Sequence, residues 1–391
     1  MTDIALAEGV NLRVDRVRAA TVRHALDVPL QFGRWRITHR EFAVVRVDTA
    51  DGASGFSYGL TRDGPVAAII ARSIAPVYEG ADVAHPSALF RQCRATAHAV
   101  LSSGAGLRAI SLVDVALWDA LARQRQQSIV DLLGGRPTSR PVTSIIGYPA
   151  VMTADQVHEE VLGLMSQGWR QFKAPVAPER ELTIARLEAA RAAAPGGWVG
   201  LDGNYSLHDI DDVVDLEARV RDLNLGWIED PLPQGDAAAM ARLRERIGTP
   251  IAAGDDQGGA YFPDALLAAR AIDVLRVDIC ANGGLTGLAT VVEKAKASGI
   301  PISPHMFAHF HTRALDGLGV ESYSGEWGIP GAGVHPMDDA LEQPVVVDGV
   351  MKPLAQEVGF GRVVSRRWIA EQSVDDPGGA LDRLSDDVCV N

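Results

Sequence analysis

Between Lys173 and Glu326 the chain repeats one pattern, a short and mostly apolar run ended by a charged or ionisable residue. WVGL (198–201) precedes Asp202, LGWI (225–228) precedes Glu229, PIAAG (250–254) precedes Asp255, VLRV (274–277) precedes Asp278, and IPISP (300–304) precedes His305. Successive end residues lie 27, 26, 23 and 27 positions apart. One strand, one helix and two loops of a (β/α)-barrel of about 250 residues consume roughly that length. The end residues therefore belong at equivalent places on successive strands. Parallel barrel strands all point the same way, so their C-terminal ends gather at one mouth, where such barrels carry their chemistry.

Asp202, Glu229 and Asp255 bring three carboxylates to that mouth, with no sulfur or imidazole among them. An oxygen-only set of this kind suits a hard cation, Mg²⁺ or Mn²⁺, better than zinc. A single strand-end acid is just as readily a solvated residue or a helix cap. Three on consecutive units, followed by Asp278 and His305 on the next two, make coincidence the weaker explanation.

Outward from this stretch, VTSIIG (142–147) and RQFKAP (170–175) read as the first two barrel strands. ELTIARLEAARAAA, DVVDLEARVRDL, DAAAMARLRERI, PDALLAARA and LTGLATVVEKAKASG are helices separating the later ones. Before them, VRAATVRHAL, EFAVVRVDT and GFSYGL alternate as strands around the Asp51-Gly52 turn, with DVPLQFGRWRI as a loop between the first two. Helical patterns follow over 65–78 and 86–102 and through AISLVDVALWDALARQRQQSIVDLLGG, where Ile110, Val113, Leu117 and Leu121 share a face. Strands followed by helices indicate an α+β domain. The expected division is an α+β capping domain over 1–138, a barrel over 139–362, and a segment over 363–391 that returns to the first domain.

The chain of 391 residues is longer than one ordinary core supports, which fits that division. It carries 50 Asp and Glu against 37 Lys and Arg and has no basic run, which excludes nucleic acid and anionic membrane as expected partners. Three scattered cysteines give neither a disulfide framework nor a zinc ribbon, so a reducing cytoplasm is the expected compartment. The opening MTDIALAEGVNLRVDR lacks a basic start followed by an apolar core, and no run approaches 18 apolar residues.

The helix AISLVDVALWDAL ending in LLGG, then LDGN, WIEDP, AAGDD, VDICANGGLTG and IPISPHMF, resemble in order and spacing the enolase superfamily, and within it the mandelate racemase group. The resemblance covers nearly the whole chain. It implies an α/β fold, a modified (β/α)7β barrel under an N-terminal α+β cap, with Mg²⁺ on Asp202, Glu229 and Asp255. It further implies a homo-oligomer and His305 as general base, oriented by Asp278. A glutamate on the eighth strand is implied too, and GVESYSGEW offers Glu321 and Glu326, with Glu321 favoured because it follows the apolar part of the run directly.

The chemistry implied is removal of a proton α to a carboxylate, with a divalent cation stabilising the charge that develops. One departure selects among reactions. Members of the group commonly carry Lys-X-Lys on the second strand; here the residues are Lys173, Ala174 and Pro175. Residues two apart on a strand face the same way, so Pro175 occupies the place of a base and cannot transfer a proton. Lys173 remains, either as a positive charge near the substrate carboxylate or a metal ligand, or as a structural ion pair. A base on one face only suits β-elimination, giving a 2-keto-3-deoxy acid from an aldonate or aldarate. The alternatives are an epimerase or cycloisomerase of a sugar acid or lactone, with Tyr148 or Lys173 as acid, and a non-catalytic barrel that binds metal and carboxylate. Candidate substrate contacts are Tyr148, Asn204, Tyr205, His309, His311 and Arg62, with the segments 28–35 and 58–63 closing over the mouth.

Overall fold

A computed structural model describes residues 12–33, 35–83, 86–148, 152–233, 235–255, 259–328, 335–337, 346–353, 357–361, 364–381 and 389–390. The opening stretch MTDIALAEGVN and part of the closing polar tail lie outside them. The first layer is an antiparallel meander of β1 (Leu12–Phe32), β2 (Trp35–Thr49) and β3 (Ser54–Leu60), with β4 (Asp82–Val83) beside β1. Gly52, at φ 91°, closes the β2–β3 turn in a region glycine enters without steric cost. After the sheet strands β1–β3 come α1 (Val66–Ile69), a π turn (Ile70–Ile74), α2 (Ala75–Tyr78), α3 (Pro86–Thr96), α4 (His98–Leu101), α5 (Gly104–Gln124) and α6 (Ile129–Leu132), of which α5 packs on β2 and β3. Helix α5 is buried along nearly its whole length because the sheet covers one side and the barrel the other.

The DVPLQFGRWRI loop expected between the first two strands is instead a strand pair. β1 runs on to Phe32 and β2 begins at Trp35, in register at Leu30↔Ile37 and Phe32↔Trp35. An irregularity between Ala25 and Leu30 absorbs Pro29, whose missing N–H an irregular edge tolerates. The tip reaches the barrel: Gly33 N–H donates to Val176 O over 3.4 Å, and a Cβ at Gly33, φ 50°, would sit 2.8 Å from the Ser206 side chain.

Eight parallel strands follow: β5 (Arg140–Ile145), β6 (Gln171–Pro175), β7 (Trp198–Asp202), β8 (Ile228–Glu229), β9 (Ile251–Ala253), β10 (Val274–Val277), β11 (Ile302–Pro304) and β12 (Gly325–Trp327). They pair in sequence order from β5 to β11, and β12 returns to pair with β5 through Gly325↔Val142 and Trp327↔Ser144. Helices α7 (Ala154–Ser166), α8 (Arg180–Ala193), α9 (Ile210–Val220), α10 (Ala237–Arg244), α11 (Phe262–Ala268), α12 (Gly284–Ser298) and α13 (Ala308–Gly317) separate them, which makes a (β/α)7β barrel. A hairpin of β13 (Val346–Val347) and β14 (Val350–Met351) runs antiparallel to the start of β5. After β15 (Val364–Ser365) and α14 (Arg366–Ala370), β16 (Ser373–Asp375) adds to β1 antiparallel.

Cap and barrel are joined by buried polar bonds as well as packing. Asp114 on α5 accepts from Thr286 N–H (2.9 Å) and Thr286 Oγ1 (2.7 Å) at the start of α12, and Trp118 Nε1 donates to the same hydroxyl (3.0 Å). The carboxylate thereby caps the positive end of α12. Burial nonetheless pushes the Asp114 carboxyl up to about 7. Among the described residues no helix is long and apolar enough to cross a membrane.

Candidate active site at the barrel mouth

Lys173 lies in the middle of β6 with its side chain turned into the barrel, and the alternation of the neighbouring strands aims Asp202, Glu229, Arg276 and Glu326 at the same interior. Lys173 Nζ lies 2.8 Å from Glu229 Oε1, 2.8 Å from Glu326 Oε2 and 3.1 Å from Asp202 Oδ2. Burial alone would lower the lysine; the three carboxylates outweigh it and hold Lys173 protonated well above its ordinary range. Arg276 completes the layer. It pairs with Glu326, reaches Glu229 Oε1 at 3.1 Å and Asp255 Oδ2 at 3.5 Å, and donates to Ser303 Oγ and Pro304 O, both at 2.7 Å.

Above this layer three buried carboxyl groups, of Glu229, Asp230 and Asp255, offer oxygens all within 4.8 Å of one another. Glu229 Oε2 and Asp255 Oδ2 are buried without a hydrogen-bond partner. Burial pushes Glu229 up to about 7, opposed by Arg276 and Lys173. Asp230 is raised well above its usual range by burial and by the Asp255 and Glu229 charges. For Asp255 burial is outweighed by His305, Arg276 and Lys173, which lower it. Converging carboxylates with orphaned oxygens are a cost unless a cation takes them up, so the donor set fits a hard divalent ion. Asp202 stands at the edge of this group, Oδ2 on Lys173 and Oδ1 accepting from Asn204 N–H (3.0 Å). Asp230, which sequence reasoning passed over as part of WIEDP, turns inward because its backbone is left-handed, φ 40°.

His305 follows β11, and its Nδ1 lies 3.1 Å from Asp278 Oδ2, which leaves Nε2 for the cavity. Asp278 is fixed in turn, Oδ1 accepting from Cys280 N–H (2.7 Å) while its own N–H donates to Asn282 Oδ1 (2.6 Å). Burial works against protonation of the imidazole, but Asp255 and Asp278 outweigh it, so His305 is raised above its ordinary value. The pair can take and return a proton. Non-glycine residues with positive φ cluster round the mouth: Asn204, Tyr205, Asp230, Met306 and Phe307. Such backbone is costly and gathers where side chains must be aimed. Tyr205 is turned back so that its hydroxyl donates to Asp255 Oδ1 over 3.1 Å.

A cavity of about 700 Å³ lies between this floor and the cap; its walls include Trp35, Arg36, Arg40, Arg62, Tyr148 and Asn204 as well as Lys173, Asp202, His305 and Glu326. The sequence candidates Tyr148, Asn204 and Arg62 are thus brought together with the dyad. Glu321, favoured above, is not. It is exposed before β12 begins, whereas Glu326 is buried on β12 and is drawn well down by Lys173 and Arg276 against the effect of burial. The apolar Gly319-Val320 ends the connection from α13 and is not part of the strand. His309 and His311 are also structural. His309 stacks on Tyr58 and bonds its hydroxyl at 3.0 Å, and burial holds it neutral. His311 bridges Met306 O (2.8 Å) and Ile279 N–H (2.9 Å), supporting the turns after β11 and β10.

Fold and site define a capped barrel whose mouth unites a cation-ready carboxylate group with a histidine–aspartate dyad. The chain matches the family "Enolase C-terminal domain-like" over residues 156–368 and "Mandelate racemase / muconate lactonizing enzyme, N-terminal domain" over 15–134. It belongs to the enolase superfamily, mandelate racemase group. It is similar to the D-galactarolactone cycloisomerase of Agrobacterium fabrum, 25% identical over 304 residues that cover 76% of this chain and 79% of that one. It is likewise similar to the L-talarate/galactarate dehydratase of Salmonella typhimurium, 27% identical over 352 residues, 88% of this chain and 86% of the other. The solved structure of an enolase from Bradyrhizobium, complexed with magnesium and mandelic acid, superimposes with a TM-score of 0.80 at 26% identity, covering 93% of this chain and 99% of that one.

Proposed function

We propose that the protein is a Mg²⁺-dependent lyase that dehydrates an acid sugar, an aldonate or aldarate, to a 2-keto-3-deoxy acid. The observation that carries the reading is the one-sidedness of the proton-transfer machinery. His305 and Asp278 form a complete dyad. On the opposite side Pro175 has no proton to give, and Lys173 is held by three carboxylates and kept protonated, so it cannot serve as a base.

Asp202, Glu229 and Asp255 would hold the metal, with Asp230 beside them. The ion would supply positive charge at the substrate carboxylate, where negative charge builds as the α-proton leaves. His305 Nε2 takes that proton; the C–H electron pair forms the carbon–carbon double bond as the β-hydroxyl departs. The imidazolium so formed returns its proton to the leaving oxygen on the same side, releasing water, and the enol tautomerises to the ketone. Glu326, locked to Lys173 and Arg276, keeps that ion network in register below the substrate. Relatives named as a galactarate dehydratase and as an arabinonate dehydratase support the reaction class.

A second reading, cycloisomerisation or epimerisation, draws on Tyr148. Its phenol lines the cavity and is kept protonated by burial and by the Asp202 charge, so it can donate a proton from another wall. Relatives named as cycloisomerases fit this reading. Incubating the Mg²⁺-loaded protein with a panel of mono- and diacid sugars and assaying keto acid separates the two. Isomer formed without loss of water would decide for the second.

A further inference from the structure

We infer that Tyr205 sets the metal selectivity of the site: its hydroxyl holds one oxygen of Asp255 and leaves the other to the ion, which favours Mg²⁺ over Ca²⁺. The inference rests on the metal-dependent reading of the same site, whichever reaction follows.

The ligand carboxylates divide their oxygens between protein and ion. Glu229 Oε1 faces Lys173 Nζ at 2.8 Å and Arg276 Nη2 at 3.1 Å, while Oε2 is buried with no hydrogen-bond partner among the described residues. Asp255 repeats the division. Its Oδ1 accepts from the Tyr205 hydroxyl over 3.1 Å, and its Oδ2 is buried without a hydrogen bond, with Arg276 Nε 3.5 Å away. The donors differ in charge. Lys173 and Arg276 repel an incoming cation, whereas a neutral phenol holds its carboxylate oxygen without opposing the ion.

The loop after β7 is built to aim that phenol. Gly203 N–H donates to Glu229 O over 2.7 Å and Tyr205 N–H to Asp230 O over 3.0 Å, which lays the loop on the end of β8. A Cβ at Gly203 would sit 2.9 Å from Asp230 O, so the approach needs a glycine. Asn204 and Tyr205 are then both left-handed, at φ 47° and 55°. An aromatic residue rarely adopts such backbone, and here it turns the ring back over the carboxylates. The main chain of Asp255 is fixed independently, since Asn282 Nδ2 donates to Asp255 O over 2.9 Å. What is left is rotation of the carboxylate, and the phenol restrains it. Asp230 meets the same phenol, so loss of the hydroxyl releases an oxygen there as well.

Mg²⁺ demands near-octahedral geometry and keeps several waters; Ca²⁺ takes about six to eight oxygens and readily accepts both from one carboxylate. With Oδ1 engaged, Asp255 suits the smaller ion. Released, it can offer two oxygens to the larger one.

The test is calorimetric titration of the metal-free full chain with Mg²⁺ and with Ca²⁺, for the parent and for Tyr205→Phe, without substrate. Partners that orient a metal ligand are worth about 10- to 100-fold in affinity. The expected variant binds Mg²⁺ at least about tenfold more weakly and Ca²⁺ as tightly as the parent or more so, so the Mg²⁺/Ca²⁺ preference falls by at least about tenfold. An equal loss for both ions, as a merely structural role would give, or an unchanged preference overturns the inference. A crystal structure of the Mg²⁺-loaded parent tests it without any variant: Asp255 should meet the ion through Oδ2 alone, with Oδ1 still on the Tyr205 hydroxyl. Ligation through both oxygens, or through Oδ1, overturns it too. A parent that binds neither ion would overturn the metal-dependent reading and this inference together, whereas a failure to form keto acid would sink the dehydratase reading and leave both metal readouts standing.

Discussion

Replacing Lys173 by methionine would remove one positive charge from among three carboxylates while keeping most of the stem's volume. The side chain is 2% exposed, and its nitrogen is 2.8 Å from Glu229 and Glu326 and 3.1 Å from Asp202. Breaking a buried ion pair from one side costs about 3–5 kcal/mol. Arg276 stays to hold Glu229 and Glu326, which argues for the lower end, about 3 kcal/mol. The same cation competes with a divalent ion for Glu229. Two unit charges about 4 Å apart interact by about 4 kcal/mol at an effective dielectric of about 20, so its removal raises Mg²⁺ affinity by at least about tenfold. Urea unfolding in chelator and across a Mg²⁺ titration reads both effects. The expected variant unfolds at lower urea in chelator, recovers part of the loss with Mg²⁺, binds Mg²⁺ more tightly and turns over no substrate. An unchanged midpoint in chelator, or weaker Mg²⁺ binding, would refute this electrostatic account of the barrel interior.

Other consequences follow from single contacts. Asp114 has a folded value of about 7 against 3.8 ordinarily, so its contribution is full below about pH 4 and is lost as pH rises through 7. That difference of about three units corresponds to at most about 4 kcal/mol; Asp114→Asn, which mimics the neutral acid, should therefore unfold like the parent near pH 4.5 and at higher urea than the parent at pH 8. Gly33→Ala places a methyl 2.8 Å from the Ser206 side chain and strains a left-handed residue, so it should raise KM with little effect on the unfolding midpoint of the barrel; an unchanged KM would show that the hairpin tip does not bear on substrate. Tyr148→Phe should leave keto-acid formation within tenfold of the parent if His305 handles both protons, and a larger loss would make the phenol the acid.

The barrel was legible because its strands end in residues whose spacing is set by the length of a strand–helix unit, and because alternation fixes which of them face inward. That logic puts Asp202, Glu229, Asp255, Asp278 and His305 at or just beyond the ends of successive strands, where the structure also has them. Arg276 was within its reach, two positions before Asp278 on the same strand, but a charged residue inside a mostly apolar run reads as a surface exception. Asp230 was not within reach, since its inward turn depends on a left-handed backbone that the pattern does not reveal. The choice between Glu321 and Glu326 went to the wrong residue because β12 starts five positions beyond Val320, at Gly325, and loop length is not encoded in alternation. Unlike Arg62, the cavity-wall arginines Arg36 and Arg40 escaped notice for a related reason. DVPLQFGRWRI has the proline and glycine of a loop, and only its pairing across Phe32 and Trp35 turns it into a hairpin that carries Arg36 and Arg40 over the mouth.

The central claim is that His305, steadied by Asp278, removes an α-proton and the same site expels the β-hydroxyl. The most direct measurement is incubation of the Mg²⁺-loaded protein with acid sugars in D₂O, following keto acid and deuterium by NMR, beside His305→Asn with its bound metal quantified. The account predicts a 2-keto-3-deoxy acid carrying solvent deuterium at C3 from the parent, and neither product nor exchange from the variant with metal still bound. Keto acid formed by His305→Asn, or deuterium entering recovered substrate with no keto acid from the parent, would contradict it.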